Sequence, residues 1–288
     1  MDLSISSLQW DIVKKYISGV GLVCALWDHL LTLGDEIQYF WHRRVWTTTR
    51  SLFFCFRYMS LIGFVLWAYV DSGSWTPTKQ VCRSWTVVLS TLIMMGISSC
   101  HAIIALRLYA LWDGRNWARL LLRAIWGITC CLLLVFWILI VKFTQSNVGI
   151  ASSLPLCTLG RKSVFNIYIW VTFLIFNIMT IIFTVSSALD RPYRKNRDII
   201  ERLRSDGFIS FLLLTMTCTW NLIMQITADG DNVYTFFPLV WAIDVSVVSR
   251  LLLRLEAIKV KFSDRRLTYV SAVELYELND DHHVSVRR

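Results

Sequence analysis

The chain has 288 residues and a formal net charge of +9, with hydrophobic side chains at 56% and charged ones at 17%. Soluble domains hold about 45–50% and about 25% respectively, and no polar stretch here is long enough to build a core of its own, which excludes a soluble domain of appreciable size. The positive charge is carried by alternate loops, so topology accounts for it and nucleic acid is not expected as a partner.

A helix needs roughly 20 mostly apolar residues to cross about 30 Å of hydrocarbon. Seven segments meet that need: Tyr16–Leu33, Leu52–Val70, Trp85–Tyr109, Leu120–Val141, Val164–Leu189, Phe208–Thr227 and Tyr234–Leu253. The expected fold is all-α, a seven-transmembrane helix bundle over residues 1–258 followed by a tail at 259–288 that is too charged to fold alone. The first thirty residues lack the basic start and small-residue cleavage site of a removable signal, so the first helix is expected to stay as a signal anchor.

Charges inside apolar helices are costly and call for a reason. Asp28 and His29 lie late in the first segment, Glu36 just past it, Arg57 one to two turns into the second, and Arg107 at the end of the third. Two acids and two arginines at one depth can neutralise each other and tie three helices together. The alternative is that the arginines only snorkel to the headgroups. For Asp28 and Arg57 the ion pair is the preferred reading.

Counted loop by loop, one side of the bundle carries 7 Lys and Arg and the other 21. Short cytoplasmic loops are enriched in Lys and Arg, which puts the N-terminus outside and the C-terminus in the cytoplasm. Six of the eight cysteines lie within the apolar segments. Cys82, before the third helix, and Cys157, in the fourth loop, both fall on the outer side, where oxidation is permitted. They are a candidate disulfide, with two unpaired thiols as the alternative.

Asp244 lies deep in the seventh segment, with Asn177, Asn221 and Gln225 as candidate partners on helices five and six. Such groups hold bundles together by hydrogen bonds, the preferred reading here. A ligand, ion or proton site is the other. His101 reads as a packed bundle histidine. The absence of a lysine from the seventh segment argues against a retinal protein, and His29, His42, His101, His282 and His283 are too dispersed for a zinc hydrolase. With no Walker loop or dinucleotide fingerprint either, neither a cofactor nor an enzymatic activity is expected.

Between helices five and six, Asp190 to Asp206 mixes basic and acidic residues and could extend either helix. It reads as a solvated inner face, with docking of a cytoplasmic signalling partner there and on the tail as the alternative. After the seventh segment, Ser249 to Phe262 alternates apolar and basic residues, as a stretch along the inner leaflet would.

The run Asp28, His29, Leu30, Leu31, Thr32, Leu33, followed by Glu36, Trp41 and the Arg57–Tyr58 pair, resembles the signature of a basidiomycete family of seven-helix integral membrane proteins that carries a domain-of-unknown-function label. Arg107 to Asn116 is similar to that family's motif after helix three. The resemblance covers the first hundred-odd residues and implies a fold rather than a chemistry. A looser likeness to G-protein-coupled receptors rests on the outside N-terminus, seven helices, the candidate bridge, Arg107 and the basic third inner loop. Departures are the lack of an acid before Arg107, of proline in helices five and six, and of an Asn-Pro-x-x-Tyr motif. Together these imply a receptor-like sensing or signalling protein of the plasma membrane, in contact with the lipid bilayer. A transporter or channel for a small solute or lipid is the runner-up, and a non-signalling membrane organiser the third reading.

Overall fold

The structure, a computed structural model, describes residues 2–42, 46–73, 78–112, 116–150, 157–159, 162–189, 197–228, 233–258 and 260. The tail expected at 259–288 lies outside them apart from Val260, and the Asp190 to Asp206 loop enters them only at Arg197, where it is helical.

Seven long helices run through the described residues: α1 (Asp2–Glu36), α2 (Thr48–Asp71), α3 (Lys79–Leu111), α4 (Asn116–Asn147), α5 (Val164–Leu189), α6 (Arg197–Thr227) and α7 (237–258). Six of them, α1 to α6, are long and apolar enough to cross a membrane, which makes this a multi-pass membrane protein. α7 stands apart by composition, with Asp244, Arg250, Arg254 and Glu256 among its 22 residues.

Several helices outrun their apolar segments. Thr47 and Thr78 stand before α2 and α3 and accept from the backbone N–H of Arg50 and Val81 at 3.3 and 3.4 Å, so α3 begins at Lys79 rather than Trp85. α1 continues to Glu36 and then through a π-helical turn, Ile37–Trp41, which places Glu36 inside the helix rather than past it. In hydrocarbon every backbone polar group must be satisfied within the helix. The hydroxyls of Thr91, Thr129, Thr172 and Thr184 follow the same rule, each donating to the carbonyl four residues back at 2.7–2.9 Å.

The outer surface is apolar: Trp27 and Leu30 on α1, Leu120 and Ile128 on α4, and Met216 on α6 are all more than half exposed. Exposure on that scale fits a lipid environment rather than water. α4 is the most peripheral helix, whereas α7 is central. Trp241, Ala242, Val245, Val248 and Leu252 of α7 are buried among Phe53, Phe56 and Phe64 of α2, Ile103 and Ile104 of α3, and Phe176 and Phe211 of α5 and α6. Two glycines make that approach possible. A Cβ at Gly21 would stand 2.9 Å from the Pro238 backbone, and one at Gly63 would stand 2.5 Å from Trp241 Cη2. Small residues at helix crossings are how bundles pack closely where water supplies no drive between helices.

Between α4 and α5 lies a feature the sequence reading lacked, two three-residue strands, β1 (Val148–Ile150) and β2 (Cys157–Leu159). They pair antiparallel with Val148 opposite Leu159. Cys157 forms a disulfide with Cys82 at the start of α3, across 75 positions, so the hairpin is fastened over one end of the bundle. That end is called the disulfide end below.

Candidate functional site

Two features stand out along the bundle axis: an ion network at one end and a pair of cavities toward the other. Arg57 is the centre of the network and is 1% exposed. Its Nε–H donates to His29 Nδ1 at 2.9 Å, while Glu36 Oε2 stands 3.0 Å from the same nitrogen. Nη2 donates to Thr32 Oγ1 and to the His29 carbonyl, and Nη1 lies 4.0 Å from Asp28 Oδ2. Glu36, fully buried, accepts on Oε1 from the Tyr58 hydroxyl at 2.7 Å and from Trp41 Nε1 at 3.2 Å. The helical period explains the convergence: Asp28, Thr32 and Glu36 are spaced by four and share one stripe of α1, which faces Arg57 of α2.

The structure therefore gathers Asp28, Glu36 and Arg57. Arg107 goes elsewhere, with its guanidinium against α6, where a Cβ at Gly207 would stand 3.8 Å from Nη2. The second cation of the network is instead Arg250 of α7, whose Nε–H donates to Asp28 Oδ1 at 2.8 Å. Two acids and two arginines thus join α1, α2 and α7, not α1, α2 and α3. Depth placed Arg107 near Asp28, and Arg250 was not grouped with it. What separates them is which helix lies beside α1, and a set of apolar segments does not carry that information.

Asp244 is half-buried and accepts from Thr217 Oγ1 of α6 at 2.7 Å. Of the three partners expected for it, Asn177 lines the same small cavity as Asp244. Asn177 donates from Nδ2 to the Leu214 carbonyl at 3.5 Å, Asn221 is buried on α6, and Gln225 is two residues from the end of α6, well above Asp244. A threonine four residues before Asn221 escaped notice because its hydroxyl is so often spent within its own helix.

The larger cavity, about 250 Å³, lies at the disulfide end, between residues of α1, α2, α3, α4, α5, α6 and the start of α7. Trp67, Trp85, Trp137, Trp170, Phe173 and Phe237 line it, along with Cys157, Asp71, Lys14, Gln225 and Thr235. A smaller one of about 40 Å³ follows, lined by Cys100, His101, Asn177, Cys218, Trp241 and Asp244. Ile97, Trp170, Phe173 and Phe237 line both, so these four side chains are the partition between them. His101 is stacked on Phe173 at 4.6 Å, with Nδ1 bonded to the Ile97 carbonyl at 2.8 Å. It is a packed residue of that wall.

α7 connects the two features. Phe237 lines both cavities, Trp241 and Asp244 the smaller, and Arg250, six residues or about 9 Å further along the helix, holds Asp28.

Among the described residues no group of three or more His, Cys, Asp or Glu could hold a metal ion. Residues 16–62 match the model of a family described as a family of unknown function, DUF6533. That stretch contains every side chain of the Arg57 network except Arg250. No curated protein is found to match the chain.

Proposed function

We propose that this is a receptor-like protein of seven membrane-spanning helices in the plasma membrane, with its N-terminus outside, its C-terminus in the cytoplasm, and no catalytic role. α7 is the seventh span, with Asp244 met by Thr217 and Arg250 by Asp28. The cavity at the disulfide end holds the stimulus, and α7 passes its occupancy to the Asp28–Arg57–Arg250 network at the cytoplasmic face, where a signalling partner docks.

One observation carries this reading: the cavities are stacked from the disulfide end down to Asp244, on a helix whose far part is held by an ion pair. Below Asp244 the bundle is filled by Phe53, Phe56, Ile104, Val248 and Leu252, all buried. A pathway blocked at one end suits sensing better than passage.

The test combines orientation with relay. A tag at the N-terminus is expected to be stained on intact cells and one at the C-terminus only after permeabilisation. Ser90→Trp fills the cavity from α3, and it is expected to change hydrogen-exchange protection of α7 around Arg250. Reversed staining, or unchanged protection with the disulfide still formed, contradicts the reading.

A further inference from the structure

We infer that His29 is a proton-binding site whose occupation frees Arg250 of α7 from Asp28. The inference stands on the Arg57 network and does not depend on what the cavities hold.

Three atoms make the site. Arg57 Nε–H donates to His29 Nδ1 at 2.9 Å, and Glu36 Oε2 lies 3.0 Å from the same Nε and 3.9 Å from the same Nδ1. A ring nitrogen that accepts carries no proton, so His29 is here the neutral Nε2–H form. One N–H thus stands between two acceptors and serves only His29. Glu36 Oε2 is sealed and accepts no hydrogen bond. A buried acceptor without a donor is costly, and a proton on His29 Nδ1 supplies the donor.

Charge decides what that proton does. Asp28 and Glu36 face His29 from α1, Arg57 and the Tyr58 ring, 5.6 Å away, face it from α2, and Arg250 of α7 stands behind Asp28. With His29 neutral, two acids and two arginines sum to zero. The His29 side chain is 17% accessible, against 8% for Asp28, 2% for Arg57 and none for Glu36, so it is the most open of these four.

Protonation of Nδ1 turns an acceptor into a donor 2.9 Å from the Arg57 Nε–H. Two N–H groups repel at that distance, and both turn to Glu36 Oε2. The cluster then carries one positive charge more than its acids neutralise. Arg57 is enclosed and stays, with Nη1 still 4.0 Å from Asp28 Oδ2. Arg250, its side chain 53% accessible and bonded to Asp28 through Nε, is the cation that can leave. Proton uptake is thereby exchanged for the tie between α1 and α7.

The test uses the full chain in lipid nanodiscs, with ¹⁵N-labelled histidine, between about pH 8 and about pH 5. The ring nitrogen shifts of His29, assigned by their loss in His29→Gln, are expected to pass from the Nε2–H form to the imidazolium. Over the same interval the hydrogen-exchange protection of α7 around Arg250, corrected for intrinsic exchange, is expected to fall by roughly threefold to fivefold, the range of an accessible ion pair. His29→Gln keeps an acceptor for Arg57 but takes up no proton, and its α7 protection is expected to stay constant. Arg250→Leu is expected to show the lowered protection at both ends of the interval. If His29 stays neutral throughout, or becomes the imidazolium while α7 keeps its protection, the inference is overturned in the unaltered chain without recourse to a variant. A fall in His29→Gln as large as in the original overturns it too.

Discussion

Arg250 on α7 donates from Nε to Asp28 Oδ1 on α1 at 2.8 Å, a contact that spans 222 positions of sequence. It closes a network in which Arg57, on α2, stands 3.0 Å from Glu36 and 4.0 Å from the other oxygen of Asp28. Desolvating charges is unfavourable unless each finds its counterpart, so the members depend on one another.

Arg57 and Glu36 are both essentially sealed from the surroundings. Removing one partner of a buried pair costs about 3–5 kcal/mol, whereas replacing both by apolar groups of similar volume is far milder. Arg57→Met and Glu36→Leu are each expected to destabilise strongly, and the double variant by much less than their sum. Unfolding in mixed micelles measures this, and additivity would show that the two do not act as a pair.

Arg250 is about half exposed, and Asp28 retains Arg57 when it is lost. Arg250→Leu is therefore expected to cost about 0–1 kcal/mol, in the range of accessible ion pairs. Asp28→Asn should cost more, because it withdraws charge from two arginines. The same unfolding series ranks them, and the reverse order would remove Asp28 from the centre of the contact.

Gly63 gives way to the Trp241 ring, since a Cβ would stand 2.5 Å from Cη2. Gly63→Ala is expected to destabilise by about 1–3 kcal/mol through overpacking. Trp241→Leu in the same chain should recover part of that loss, detectable as a rise in thermal midpoint over Gly63→Ala alone.

The Cys82–Cys157 bridge fastens the β1–β2 hairpin to α3. Cys82→Ser, Cys157→Ser and the double variant should lose stability equally, by about 2–4 kcal/mol, since each breaks the same link. A double variant clearly worse than either single one would point to roles for the thiols apart from the bridge.

How far the sequence carried depends on which residues are considered. Asp28, Glu36 and Arg57 were legible as a group because a charge in an apolar helix announces its own depth. Arg250 was visible too, but pairing it with Asp28 requires knowing that α7 lies beside α1, and helix neighbours far apart in sequence leave no mark on hydropathy. Thr217 was hidden by the ambiguity of threonine in apolar helices. The paired strands at Val148–Ile150 and Cys157–Leu159 were invisible because three-residue strands are shorter than any period that could reveal them. Gln225 was grouped with Asp244 as a polar group inside the bundle. Its position two residues from the end of α6, against seven residues into α7 for Asp244, already implied different depths. The cavity itself was beyond reach, since it arises from side chains of seven helices that only the packed bundle brings together.

The claim that everything else depends on is that the cavity communicates with one face alone. Ser90→Cys and Ile93→Cys, both on the α3 wall, can be placed in a chain whose six free cysteines are replaced, and treated in sealed vesicles with a membrane-impermeant thiol reagent from each face. Reaction of both from the disulfide side, and of neither from the Arg57 side, is the expected result. Reaction from both sides would indicate alternating access and a transporter, and reaction from neither would indicate a closed bundle; either would contradict a receptor-like role.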